Sequence, residues 1–307
     1  MKKETHVLLI GYSKLARKRI INLFIKKKIK FSVASKSYKG KIDYALKQYN
    51  NYEKALKDSK AKIVYISLPN SLHYIWAKKA LKHGFHVIVD KPICAKYSHS
   101  LDLVNLAKKK NRLISEAIFF NYHSQIKKSL EIVGGKKNIS KINANFTIPK
   151  PPKGSILLSK KLKGGVIMDM GPYAASLQRI FFNTKIIERK IFIKYDKKKL
   201  PIEINLNFFY KNKTYDGKFK FDGKYKNQII IFSKNCKVKI SRAFSPPEDS
   251  DLYLTIYKKN SINEKKIKKD NCFENYFKKI SSFINKDRYS QSYNQILVDH
   301  KFRDCIK

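Results

Sequence analysis

The sequence predicts two architectures in series. The first is an α/β part on a doubly wound parallel sheet; the second is an α+β part on an open, mostly antiparallel sheet, closing in helices. Three observations predict this. Short apolar, β-branched runs alternate with helix-length amphipathic stretches over roughly the first 120 residues, the spacing of βαβ units. From Ile186 to about Tyr257 the runs become period-2 strands separated by turn residues. Between these stretches lie the proline-rich Pro149–Gly154 and a glycine-opened helix, Gly164–Phe182. With 307 residues the chain is long enough for two domains, drawn here as 1–120 and 121–307.

In order, Val7–Ile10 reads as a buried strand, Gly11 as its turn and Lys14–Lys26 as a helix. Phe31–Ala34 is a second strand, Tyr52–Leu56 a helical piece, and Ile63–Ser67 a third strand ending at Leu68-Pro69-Asn70. Ser71–His83 has helical spacing, with Gly84 suited to its C′ position. Val87–Val89 is a strand apolar on both faces that stops at Asp90, Lys91 and Pro92. Ser98–Lys110 is helical, Leu113–Ala117 a strand and Tyr122–Val133 a helix.

The second part starts with an alternating strand, Lys141–Ile148. Later strands are expected at Lys190–Tyr195, Ile202–Tyr210, Lys218–Asp222, Gln228–Phe232, Lys237–Ser241 and Leu252–Tyr257, with Asp216-Gly217 and Asp222-Gly223 as turns. The lysine-rich 260–270 stretch reads as a solvated loop, and Phe273–Ile284 and Gln291–Cys305 as closing helices.

A net charge of +45 invites a nucleic-acid reading. Yet 60 of the 68 basic residues are lysine, spread along the whole chain, and the eight arginines form no stripe. Nucleic acid is therefore set aside, although the field favours an anionic small molecule. No apolar run approaches the ~20 residues needed to span a bilayer, and Val7–Ile10 is too short for a signal-peptide core, so a cytoplasmic protein is expected. Cys94, Cys236, Cys272 and Cys305 form no C-x-x-C pair, so neither a metal site nor a disulfide framework is expected. Cys94 reads as a small residue packing a loop.

Candidate site residues gather at predicted strand ends, where open α/β sheets hold ligands. Gly11 provides the first glycine of a phosphate-binding turn; Ser13 and Ala16 stand where the second and third would be. Ser13 carries a hydroxyl for a phosphate, and Ala16 is small enough for close helix–strand packing. At the second strand's end, Ser35-Lys36-Ser37 offers hydroxyls and a cation where an NAD site keeps an acid, favouring NADP(H) over NAD(H). Asn70 suits a helix cap, and His73, in the first turn, faces either a cleft or solvent. Asp169 and Tyr173 lie at i and i+4 of the predicted helix from Val166, a carboxylate beside a phenol fit for proton transfer.

Together L-P-N-S-L-H (Leu68–His73), A-L-K-H-G-F-H-V-I-V-D-K-P (Ala80–Pro92), Glu116–Gln125 and G-G-V-I-M-D-M-G-P-Y (Gly164–Tyr173) resemble the Gfo/Idh/MocA family of NAD(P)-dependent sugar oxidoreductases. The resemblance implies an N-terminal Rossmann domain binding the dinucleotide. It implies a C-terminal α/β domain for substrate, whose open sheet joins copies into a homo-oligomer. It further implies that Lys91 precedes a cis proline beside the nicotinamide. Leu68, Asn70, His73 and Asp90 would line the cofactor with Gly11, Ser13, Leu15, Ala16 and Ser35–Ser37. Leu15–Arg19 and Tyr173 look most like the NADP-dependent nucleotide-sugar 3-ketoreductases, in which residues matching Lys91 and Tyr173 form the catalytic pair and Asp169 orients. The implied substrate is a sugar or nucleotide-linked sugar, with no membrane or nucleic-acid partner. Three departures stand out: Asp90 replaces the usual Glu before Lys91, Asn121 the usual Arg, and Ser124 a proline. A dinucleotide- or sugar-binding relative without chemistry is the alternative.

Overall fold

The computed structural model describes residues 5–182 and 185–306. The chain divides into two compact units: Met1–Ala117 with Phe273–His300, and Ile118–Cys272 with Lys301–Lys307.

The first unit is built on a wholly parallel sheet of six strands, β1 (His6–Ile10), β2 (Lys30–Ala34), β3 (Gln48–Tyr49), β4 (Ile63–Ile66), β5 (His86–Asp90) and β6 (Ile114–Ala117). Their order is β3-β2-β1-β4-β5-β6, so the direction of winding reverses between β1 and β4. Val7–Ile10, Val64 and Val87–Val89 are completely buried. A strand covered on both faces has no polar alternation, which is why these runs are continuous and legible. Each such side chain contributes about 1.5–3 kcal/mol of burial. The first helix spans 14–26 and passes through a π-helical stretch, Ala16–Ile21. The two-residue β3 is too short to produce a periodic signal.

The boundary drawn from sequence needs one correction: residues 273–300 belong to the first unit, not the second. The helix Cys272–Asn285 packs Phe277 against Phe24 and Tyr65, and Tyr276 donates to Ser115 Oγ at 2.9 Å. From the last helix, Ser290–Asp304, Ser292 donates to the Ile114 carbonyl and Tyr293 to that of Arg112, both at 2.6 Å. Contacts at such sequence separation leave no local signal.

The second unit carries eight strands: β7 (Ile139–Ile148), β8 (Glu188–Tyr195), β9 (Pro201–Tyr210), β10 (Lys213–Phe221), β11 (Lys226–Ser233), β12 (Lys237–Ser241), β13 (Leu252–Lys258) and β14 (Ser261–Ile267). Their order is β14-β13-β12-β11-β7-β10-β9-β8, antiparallel except for the β7–β10 pair. Ile142, Ala144, Phe146, Leu206, Phe208 and Phe219 form the buried face, on which the helix Val166–Phe181 packs. Two expectations fail here. Asp216-Gly217 lies inside β10 and the turn is at 211–212, because the strand is longer than its apolar part. The lysine-rich 260–270 stretch contains β14, an edge strand whose charges suit solvent on both faces.

Candidate functional site

Gly11 leaves β1 with φ +97°, and a Cβ there would sit 2.1 Å from the Ser67 carbonyl oxygen. Both the left-handed backbone and the close approach demand glycine. The turn leads into the helix at 14–26, where buried Ala16 donates its amide to Ser13 Oγ at 3.1 Å. Leu15 lies half-buried beside it.

At the end of β5, Asp90 accepts hydrogen bonds from Tyr65 Oη and from Ser67 Oγ, the latter at 2.5 Å. Since the single Ser67 proton goes to Asp90, the 2.7 Å contact between Ser67 and Ser13 is a donation by Ser13. Ser13 thus spends its proton inside the protein; the expectation that it donates to a phosphate does not fit this arrangement. Burial pushes the Asp90 carboxyl up from its ordinary value, against the pull of the Ser67 and Tyr65 bonds and of His73 and Lys91. Lys91 follows, its bond to Pro92 cis, and the Ile93 amide donates to Glu116 Oε1 at 2.9 Å, holding the turn.

After β4, Leu68 and Pro69 lead into a 3-10 turn, Asn70–Leu72, and then the helix His73–Lys82. Asn70 opens that turn, whereas the helix N-cap is Leu72, so the capping expectation is not met. His73 faces neither cleft nor solvent: it is buried, with Nδ1 2.7 Å from the Pro92 carbonyl and Nε2 2.7 Å from that of Leu68. It ties the loop after β4 to the loop after β5.

At the end of β2, Ser35 is buried and its hydroxyl accepts from the Tyr38 amide, whereas Lys36 and Ser37 are exposed. The Lys36 ammonium lies 5.1 Å from the Tyr52 ring centre. Sequence reasoning missed three residues nearby. The rings of Tyr12 and Tyr38 are 4.6 Å apart, and the Arg17 guanidinium lies 5.5 Å from the Tyr12 ring. Arg17 in L-A-R-K-R was the available signal. A cavity of about 400 Å³ beside them is lined by Ser35, Tyr38, Lys39, Lys47 and Lys54 among others, with no carboxylate. The turn, the helix start and this cationic, hydroxyl-bearing strand end fit a phosphorylated dinucleotide.

In the second unit, Gly165 caps the helix Val166–Phe181 with φ +96°. Asp169 and Tyr173 stand one turn apart on it, as their spacing predicts. The Tyr173 ring packs against Phe120, Phe146 and Phe244 at 5.5–5.6 Å between centres. Asn121 Oδ1, His123 Nε2 and Gln125 Oε1 are buried without a hydrogen-bond partner among the described residues. Position 121 holds a neutral carboxamide where the resemblance implies an arginine.

Buried Cys94 packs its thiol 3.0 Å from Ser100 Oγ in the loop after β5, the structural part expected of it. Among the described residues no cluster of His, Cys, Asp and Glu suits a metal, and no helix is long and apolar enough to cross a membrane.

Residues 5–118 match the family described as "Oxidoreductase family, NAD-binding Rossmann fold" (GFO_IDH_MocA). The chain is 30% identical over 138 residues to "D-xylose 1-dehydrogenase (NADP(+)) 2" of Haloferax volcanii, covering 44% of this chain and 42% of that one. It is 24% identical over 216 residues to the dTDP-3,4-didehydro-2,6-dideoxy-alpha-D-glucose 3-reductase of Streptomyces antibioticus, covering 69% and 66%. The chain thus spans between two fifths and two thirds of the length of these relatives. In fold it resembles KijD10, a 3-ketoreductase from Actinomadura kijaniata solved with NADP and TDP-benzene, at a TM-score of 0.90, with 19% identity and coverage of 98% and 96%. Through residues 5–118 the chain is thus similar to the Gfo/Idh/MocA family of oxidoreductases with an NAD-binding Rossmann fold.

Proposed function

We propose that this chain is an NADP(H)-dependent oxidoreductase that moves a hydride between nicotinamide and a carbohydrate carbonyl or hydroxyl carbon, with a nucleotide-linked sugar as substrate. The observation that carries the reading is the placing of Lys91 at the carboxyl end of β5, on the sheet edge where β1 and Gly11 also end, next to the reversal of strand order. The strand end at Ser35–Ser37 and the cavity beside it, cationic and free of carboxylates, support NADP(H) over NAD(H).

When bound, NADPH supplies the hydride. The start of the 14–26 helix after the Gly11 turn, at Leu15 and with the small Ala16 packed behind it, would face its diphosphate. Lys36, with Ser35 and Ser37, would hold the 2′-phosphate, and Leu68 and Asn70 would border the nicotinamide. Lys91 donates its ammonium protons to the sugar oxygen and lowers the cost of charge developing there. The Tyr173 hydroxyl gives the proton that completes the alcohol, and Asp169 accepts from a neighbouring sugar hydroxyl. Hydride to carbon and proton to oxygen balance the reduction, and the reverse sequence balances the oxidation. Asp90 and His73 act from behind, on the chain that carries Lys91.

Lys91→Met is expected to abolish reduction of nucleotide-linked ketosugars while NADPH affinity, read by fluorescence, stays within about threefold. Near-normal turnover in this variant overturns the mechanism. The glycine turn reduced to Gly11, with Ser13 engaged internally, favours a second reading: a dinucleotide binder without chemistry. Saturable NADPH binding with no reduction of any ketosugar would select it.

The proposal includes a homo-oligomer joined through the second unit's sheet, which exposes Phe192 on β8 and Ile262 on β14. Its setting is the cytoplasm, where four free thiols remain reduced.

A further inference from the structure

We infer that Tyr65 and Ser67, two residues of β4 and its exit, are positioning residues that hold Asp90 and through it Lys91, and that Ser67 couples this strand end to the glycine turn. The inference rests on the reading of Lys91 given above. It starts from register. β4 and β5 run parallel with Tyr65 opposite Ile88 and Ile66 opposite Val89, so Tyr65, Ser67, Ile88 and Asp90 project from one face of the sheet. A phenol and a hydroxyl two residues apart on β4 therefore converge on the last carboxylate of β5.

Each proton in the line has one destination. The Ala16 amide donates to Ser13, Ser13 donates to Ser67, and Ser67 donates to Asp90 Oδ2, at 3.1, 2.7 and 2.5 Å. Tyr65 donates to Oδ1 from the other side. Both carboxylate oxygens are thereby engaged, and three separate loops of the sheet edge are joined by side chains alone: the turn after β1, the exit of β4 and the exit of β5. Nothing in the line reaches outward to a ligand. Its effect is to fix where the backbone places Lys91 and how the helix at 14–26 begins.

Tyr65 is wholly buried, its ring 6.1 Å from that of Phe277. Packing accounts for a ring at this position but not for its hydroxyl, whose burial would be costly without a partner. The hydroxyl also limits the size of residue 90. A glutamate there would push the carboxylate outward by about 1.5 Å, one further carbon–carbon bond, into a space already closed by Tyr65 Oη and Ser67 Oγ. Asp90 and Tyr65 are in this sense a matched pair, the short acid and the long phenol together spanning one gap.

The experiment is a double-mutant cycle with Tyr65→Phe and Asp90→Glu, reading kcat, KM for NADPH, NADPH affinity by fluorescence and melting temperature on the same four proteins. Tyr65→Phe is expected to lower kcat about tenfold while KM for NADPH moves less than threefold. Asp90→Glu is expected to lower kcat about a hundredfold, and adding Tyr65→Phe to it to restore activity at least tenfold, because the missing oxygen makes room for the longer acid. Ser67→Ala, at the junction of the line, is expected to weaken NADPH binding as well as kcat. A residue that only filled the core would lower the melting temperature without this rescue or this split. Independent, multiplying losses in the cycle overturn the inference, as does a Tyr65→Phe protein indistinguishable from the unsubstituted one. Should the unsubstituted protein reduce no ketosugar, the functional reading fails by itself. The pair is then decided by melting temperature, where the double variant must be more stable than Asp90→Glu alone and additivity refutes it.

Discussion

In the parallel sheet, Val87, Ile88 and Val89 are each wholly buried, and polar groups begin only where the strand ends, at Asp90 and Lys91. In the antiparallel sheet, β9 buries Ile204, Leu206, Phe208 and Tyr210 and leaves Asn205, Asn207 and Phe209 half-buried between them. A strand covered on both faces has nowhere to put chemistry but its ends. A strand with a solvated face spreads its polar groups along its length, and that unit's candidate acid–base pair, Asp169 and Tyr173, sits instead on a helix. The difference predicts how each unit fails. The first should be broken by changes to backbone at strand ends, the second by the loss of single side-chain atoms from a well-packed helix face.

Among the tests of this comparison, the largest effect is expected from Tyr173→Phe. The ring keeps its packing against Phe120, Phe146 and Phe244, so only the hydroxyl is lost. Loss of a general acid costs roughly 10²–10⁴-fold in kcat, with melting temperature and NADPH affinity unchanged. Retention of more than a tenth of the activity removes Tyr173 from the mechanism. Next is Gly11→Ala in the first unit. Positive φ and a Cβ placed 2.1 Å from a backbone oxygen are expected to cost at least about 3 kcal/mol in denaturant titration. A loss below about 1 kcal/mol would mean that the turn can move aside and that the strand end is not rigid. A smaller change is expected from Lys36→Glu, which replaces the exposed cation after β2 by an acid. The NADPH/NADH preference should shift toward NADH by about tenfold, the worth of one charge-assisted phosphate contact; an unchanged preference places the 2′-phosphate elsewhere, with Arg17 the next residue to test.

Legibility in the sequence follows the same division. The first unit's strands, glycine turn and strand-end candidates were readable because burial on both faces leaves unbroken apolar runs with abrupt ends. Tyr65 escaped notice for that very reason: inside I-V-Y-I it reads as one more apolar residue, and only register shows its hydroxyl meeting Asp90. His73 was recognised as special but not placed, since two backbone carbonyls as its partners cannot be read from residue types. In the second unit, alternation located most strands and the helix periodicity paired Asp169 with Tyr173. β14 was lost because an edge strand protects itself with the lysines that also mark a loop. Residues 273–300 were given to the wrong unit because their partners, Phe24, Tyr65, Ser115 and Ile114, lie more than 150 residues away.

The smallest effect is a pH dependence seated in the first unit, at the strand ends opposite Lys91. His86 opens β5, and its Nδ1 accepts from the Leu113 amide at 3.0 Å, a bond that only the unprotonated nitrogen can accept. Desolvation by burial, with Arg112 adding repulsion, lowers its pKa from 6.5 to about 4. A histidine whose pKa is depressed on folding binds protons more readily in the unfolded chain between those two values. Its contribution to stability is complete above about pH 6.5 and is lost as the pH falls toward 4. His86→Asn keeps an acceptor near the Nδ1 position and has no proton to take up. The variant should lose some stability at pH 7.5 yet show a shallower fall in melting temperature between pH 6.5 and pH 4.5 than the unsubstituted protein. Parallel curves for the two proteins would assign the acid sensitivity of this sheet to other groups, Asp90 being excluded by sign. A carboxyl whose pKa is raised on folding makes the protein more stable, not less, as the pH falls through its range.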